Sequence, residues 1–205
     1  ITGTVWIQGA DGLEVIELPG LETIGWHLSV SGGSGMKLIN LPNLRVIEEG
    51  WLQVSETVSL EALDLPSLET VGQGVVVTRN ESLETVTLPV LTSVTESVGL
   101  QDNPALTAIH LPALEGAGSF YVGGNVLLTD LTVPTNVTIG QDATTSEWSV
   151  PTTVFVAFNP SLAACAVEAM VADWSVPAVE PQEEATGWET IEGVEAPAPV
   201  AMYVQ

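Results

Sequence analysis

Apolar residues recur along this chain in short alternating bursts. A first series pairs apolar residues across one polar position: Val5/Ile7, Leu28/Val30, Leu52/Val54, Val75/Val77, Val98/Leu100 and Phe120/Val122. Alternation of this kind predicts half-buried β-strands. Three further columns keep the same phase. Leu13, Met36, Leu60, Leu83, Leu106 and Leu128 form one, and Ile16, Ile39, Leu63, Val86, Ile109 and Leu131 another. Leu21, Leu44, Leu68, Leu91 and Leu114 form the third. Leu-Pro punctuates every unit, at residues 18, 41, 65, 88 and 111, and Val133-Pro134 continues the series. The segments between Gly, Asn and Pro corners are too short for helices. One unit alone cannot bury its apolar set, whereas stacked units bury a continuous core. The pattern therefore predicts an all-β fold: a right-handed parallel β-solenoid over residues 1–162, of about seven turns of about 23 residues. Successive turns are expected roughly 4.8 Å apart.

Two side-chain patterns share the register. Asn80, Asn103, Asn125 and Asn159 occupy one corner column, where stacked amides bond the turn backbone and one another. Only three residues are Lys or Arg, and each is predicted to lie between carboxylates one turn above and below. Lys37 falls between Glu14 and Glu61, Arg45 between Glu22 and Glu69, and Arg79 between Glu56 and Asp102. A shift of one residue would destroy all three sandwiches.

The phase breaks at residues 140–152, read as an irregular insertion, and resumes with Val154, Val156, Asn159 and Leu162. Residues 163–175 are the chain's best helix former. Val167, Met170, Val171 and Trp174 there share one face, as in a cap over the last turn. From residue 176 to 205 the sequence reads as an acidic, Pro-containing tail. It ends in a strand-like alternation of Val200, Met202 and Val204.

The repeat resembles the receptor L-domain family, leucine-rich-repeat-like β-helices, and most of all its bacterial and fungal cell-surface members. The stretch Leu83-Glu84-Thr85-Val86-Thr87-Leu88-Pro89-Val90-Leu91 carries the likeness. Asn103-Pro104-Ala105-Leu106 and Asn159-Pro160-Ser161-Leu162 match its asparagine corner. The resemblance implies a fold and a surface location, not a ligand; the cysteine-rich modules that flank hormone-receptor members are absent.

Charge narrows the function classes. With 26 Asp and Glu against three Lys and Arg, the formal net charge is −23. Nucleic-acid binding needs the opposite sign, and so does docking on anionic lipid. No apolar run is long enough for a membrane-spanning helix. One cysteine, Cys165, excludes an intrachain disulfide and reads as a packing residue between two alanines. A chain opening at Ile1 without a charged and apolar leader reads as a secreted form with its signal peptide removed.

Candidate chemistry is sparse. His27 and His110 lie more than three turns apart and cannot share a metal. No nucleophile, phosphate or zinc motif appears in a fitting context. No cofactor is therefore expected. Columns of glutamate (Glu14, Glu61 and Glu84; Glu22, Glu69 and Glu115) make diffuse Ca²⁺ binding an expectation, without an ordered ligand loop.

The expected function is non-enzymatic: an extracellular or cell-surface structural and adhesion protein that self-associates head to tail. Val5 and Ile7 of an uncapped first turn, with Val200, Met202 and Val204 of the tail, are the candidate assembly residues. The tail either returns to its own first turn or adds to a neighbour's edge. The alternative function is a module that binds a glycan or a protein along the strand face, with Trp6 and Tyr121 as aromatic platforms.

Overall fold

The alternating pairs of the first column stack residue upon residue. Val5, Leu28, Leu52, Val75, Val98, Phe120 and Val154 are successive register partners in one parallel sheet. This computed structural model describes residues 1–140, 153–174 and 201–204. Among these residues it is nearly all β, a parallel β-solenoid of about six turns.

Each turn has three faces. The first carries β1 (Val5–Gln8), β4 (Leu28–Ser31), β7 (Leu52–Ser55), β10 (Val75–Thr78), β12 (Ser93–Gln101), β14 (Gly116–Gly123) and β17 (Thr153–Ala157). The second carries β2 (Val15–Glu17), β5 (Leu38–Asn40), β8 (Ala62–Asp64), β11 (Thr85–Thr87), β13 (Ala108–His110) and β15 (Asp130–Thr132). Here Ile16 pairs with Ile39, and Leu63, Val86, Ile109 and Leu131 stack in order. The third carries β3 (Thr23–Ile24), β6 (Val46–Ile47), β9 (Thr70–Val71) and β16 (Thr138–Ile139). Strands β12 and β14 run on from the third face into the first, so these two faces share one sheet there.

The Leu-Pro corners are tight turns. The N–H of Leu44 reaches the carbonyl of Leu41 at 3.2 Å, and Leu68, Leu91 and Leu114 repeat the contact. Proline suits the second position of such a turn, because its φ is preset and its missing N–H is not needed there. Leu41, Leu65, Leu88 and Leu111 are then fully buried. Close stacking also selects glycine. A Cβ added at Gly72 would fall on the carbonyl of Glu48 one turn below.

One apolar core runs from Ile16 to Trp174. Its last turn is closed by α1 (Ala164–Val171). Val167, Met170, Val171 and Trp174 are all buried, as their spacing predicts. Trp174 meets Phe120 edge-on with ring centroids 5.1 Å apart, and its indole N–H donates to the carbonyl of Pro134 at 2.9 Å. The first turn is barer: Val5 and Ile7 are half-buried, and Leu13, Val15 and Leu18 are exposed.

The end of the tail takes a place that neither sequence-based alternative named. β18 (Ala201–Val204) pairs in parallel with β17 of its own chain, Met202 opposite Val154 and Val204 opposite Val156. It extends the first face by one rung at the helical end rather than returning to β1. The residues expected to form the insertion lie, except for Gly140, outside the described residues. So do Val200 and most of the tail.

Candidate binding face

The corner after each first-face strand is built by two adjacent columns. The first holds left-handed backbone at Gly9, Gly32, Glu56, Arg79, Asp102, Gly124 and Phe158. The second is the asparagine ladder. Asn80 Nδ2 donates to the carbonyl of Val54 at 3.1 Å, Asn103 to Val77 at 3.0 Å, Asn125 to Leu100 at 2.9 Å and Asn159 to Val122 at 3.0 Å. Each side-chain oxygen accepts the N–H of the previous rung: Asn103 from Asn80 at 3.0 Å, Asn125 from Asn103 at 3.0 Å, Asn159 from Asn125 at 3.1 Å. Thr57 tops the column, its backbone N–H and its hydroxyl both donating to Asn80 Oδ1. All five residues are buried. The ladder thus satisfies backbone groups that the turn takes out of the sheet, which is a structural task.

Each cation pairs with one of its two predicted carboxylates. Lys37 Nζ lies 2.9 Å from Glu14, and Arg45 holds Glu69 through Nε at 3.0 Å and a terminal nitrogen at 2.8 Å. Arg79 lies 3.5 Å from Glu56. Among the described residues no ion pair joins these cations to Glu61, Glu22 or Asp102. All three pairs are solvent-exposed, so each contributes about 0–1 kcal/mol. The Asp102 carboxylate lies instead against bare Gly124, where a Cβ would collide with it.

The histidines serve separate local contacts. His27 Nδ1 accepts the N–H of Trp51 at 3.0 Å. His110 Nε2 lies 3.2 Å from Asp130 Oδ2, and that hydrogen bond, with one from Thr132, holds the Asp130 carboxyl below its ordinary value. A cleft of about 180 Å³ between β15 and α1 is lined by Asp130, Leu131, Leu162, Val167 and Met170. No group of His, Cys, Asp and Glu fit to hold a metal ion occurs among the described residues. No helix among them is long and apolar enough to cross a membrane.

What distinguishes one surface is the absence of charge. The outward positions of the first face are Trp6, Ser29, Gln53, Val76, Gly99, Tyr121 and Phe155 in one row. The next row runs Gln8, Ser31, Ser55, Thr78, Gln101, Gly123 and Ala157, of which Ser55, Gly123 and Ala157 are buried. None is ionisable at neutral pH, although the chain carries 29 charged side chains of Asp, Glu, Lys and Arg. Amides and hydroxyls occupy the middle of this face, and aromatic rings both ends. At the first end Trp6 and Trp26 are exposed, and Trp51 covers Gly74. At the other, Tyr121, Phe155 and Phe158 form a contiguous strip, with centroids 6.5 Å and 6.0 Å apart.

The sequence reading named Trp6 and Tyr121 but missed the two phenylalanines. Phe155 was legible as the outward residue between buried Val154 and Val156. Phe158 was not, because its place in the left-handed column is a backbone property. A bulky residue there, at φ 59°, opposes a preference of about 1–2 kcal/mol for right-handed backbone.

Comparison with protein-family models, with curated proteins and with solved structures gave no match.

Proposed function

We propose that this chain is a non-enzymatic structural and adhesive protein of the extracellular or cell-surface space, in contact with its partner through the first face. The observation that carries this reading is the charge-free face on an otherwise strongly acidic chain. A charge covered by a partner loses hydration that a pairing seldom restores, and the cores of interfaces are accordingly poor in Lys, Asp and Glu. A surface kept free of charge is thereby ready to be covered, while acidic flanks keep the solenoid soluble. The likeness to L-domain repeats supports the same reading.

The test is attachment of protein-coated beads to immobilised cell walls and to extracellular-matrix protein. Val76→Lys, at the centre of the face, should abolish attachment. Val90→Lys, at a Leu-Pro corner, should leave it intact. Equal attachment by the two variants, or none by the wild type, would exclude this face as the contact surface.

Head-to-tail self-association is a second reading, favoured by the sheet's two parallel edges. Among the described residues β1 has a partner only in β4, and β18 only in β17. An edge strand of this kind accepts another chain unless it is blocked. The N–H groups of Val5 and Gly9 bond towards β4, so that of Gln8 faces the open edge. Gln8→Pro should then lower the mass seen by light scattering at high protein concentration, and an unchanged mass would exclude β1 from assembly.

A further inference from the structure

We infer that the outer edge of β15, with the cleft between β15 and α1, takes an extended basic segment of a partner protein. An apolar side chain of that segment fills the cleft, and a Lys or Arg beside it meets Asp130. The site lies on the second face, apart from the contact surface proposed above. Three observations converge on it.

The first is a missing strand. Leu63, Val86, Ile109 and Leu131 stack as successive register partners, and the first three are fully buried. Leu131 is only partly buried, since no second-face strand follows it among the described residues. The last corner still keeps the repeat. The N–H of Leu162 reaches the carbonyl of Asn159 at 2.9 Å, as that of Leu128 reaches Asn125 at 3.1 Å. Where the next second-face strand would begin, the chain turns into α1 instead.

The second is an open backbone. The N–H of Asp130 bonds to the carbonyl of Thr107, and the carbonyl of Thr132 accepts the N–H of Leu111. Peptide groups alternate in direction along a strand, so the N–H and C=O of Leu131 face away from β13. Among the described residues β15 pairs only with β13. One more residue can join the ladder there, with its side chain on the same side of the sheet as that of Leu131. On that side lies the cleft of about 180 Å³, which Leu131 lines together with Leu162, Ala166, Val167 and Met170. One aliphatic side chain fits it and continues the column.

The third is charge. The residues on either side of that anchor stand opposite Asp130 and Thr132, on the solvent side. Asp130 is exposed, and its carboxylate oxygens have one contact each, with His110 Nε2 and Thr132 Oγ1. Each oxygen keeps a lone pair free for a cation. Opposite charges on adjacent strands attract. The chain's own tail does not match, because residues 175–200 hold six Glu and no Lys, Arg or His. Lys37, Arg45 and Arg79 all lie within the solenoid, so the matching segment belongs to another protein.

The experiment is calorimetric titration of the full chain with acetyl-Thr-Lys-Leu-Lys-Thr-amide, whose pattern is the same in either strand direction. This peptide should bind. Acetyl-Thr-Lys-Ser-Lys-Thr-amide has the same charge without the anchor. It should bind at least about tenfold more weakly, the loss expected when a Leu side chain is not buried. Acetyl-Thr-Glu-Leu-Glu-Thr-amide should not bind. Ala166→Phe, at an exposed helix position, fills the cleft and should weaken binding about tenfold at unchanged melting temperature. Asp130→Asn should weaken it about threefold, as for an exposed pair. Val76→Lys, on the first face, should leave it unchanged. No binding of the Leu peptide, equal binding of the Leu and Ser peptides, or full affinity in both Ala166→Phe and Asp130→Asn would overturn the site. So would a loss in Val76→Lys as large as that in Ala166→Phe, since the peptide would then lie on the first face.

Discussion

Asn103 Oδ1 accepts two hydrogen bonds from Asn80, one from its backbone N–H and one from its side-chain amide, both at 3.0 Å. Asn103 Nδ2 in turn donates to the carbonyl of Val77. One buried side chain thereby serves two backbone groups of the neighbouring rung. Asn103→Ala would leave several of these groups without a partner, at about 1–3 kcal/mol each. The expected loss is about 3 kcal/mol in denaturant unfolding. Asn43→Ala, which removes an exposed bond to the carbonyl of Pro19, should cost less than about 1 kcal/mol. Comparable losses in the two variants would show that burial does not set the ladder's value.

The charge sandwiches are asymmetric, and a double-mutant cycle can measure this. Arg45 and Glu69 meet through three short contacts. Their coupling energy at low salt should be about 0.5–1 kcal/mol. Cycles between Arg45 and Glu22 should return a value near zero. A larger coupling to Glu22 would mean that the guanidinium lies on the other side in solution.

Net charge should outweigh these pairs. Repulsion among 26 acidic side chains is screened by salt over about 10 Å at 0.1 M, and the three ion pairs are weak. Added salt should therefore raise the melting temperature, and millimolar Ca²⁺ should do so at lower concentration. A melting temperature that falls with salt would show that the ion pairs dominate.

Helix α1 begins without a cap. Ala163 has extended backbone at the N-cap position and makes no side-chain hydrogen bond to the first turn. Ala163→Ser supplies that acceptor and should stabilise the protein by about 1 kcal/mol. The check is the denaturation midpoint at unchanged m-value. No gain would mean that α1 opens without loss of the solenoid.

The Asp130 carboxyl is held below its ordinary value by His110 and Thr132. A carboxyl lowered on folding stabilises the native state above its unfolded pKa, about 3.9. That contribution disappears as pH falls through the lower folded value. Asp130→Asn should accordingly reduce stability slightly at pH 6, by less than about 1 kcal/mol for an exposed pair. By pH 2–3 the difference should shrink towards zero. A difference that grows on acidification would contradict the assignment.

The sequence by itself determined the repeat, its register and its closing helix. Those follow from interactions between like residues one turn apart: Leu beneath Leu at the Leu-Pro corners, Asn beneath Asn in the ladder, and Val167, Met170, Val171 and Trp174 at helical spacing. A periodic core makes every such contact predictable from its neighbours, because each rung meets only the next. Tertiary structure alone decided what breaks the period. The position of β18 beside β17 follows from which strand edge is left open, and no local pattern in the tail carries that information. Which carboxylate each cation chose depended on rotamers, since both candidates stood one turn away. The aromatic strip joins Tyr121 to Phe155 and Phe158 across residues 141–152, where the sequence loses phase. Its most exposed ring stands on left-handed backbone, set by the stacking of the corners above rather than by the preference of phenylalanine itself.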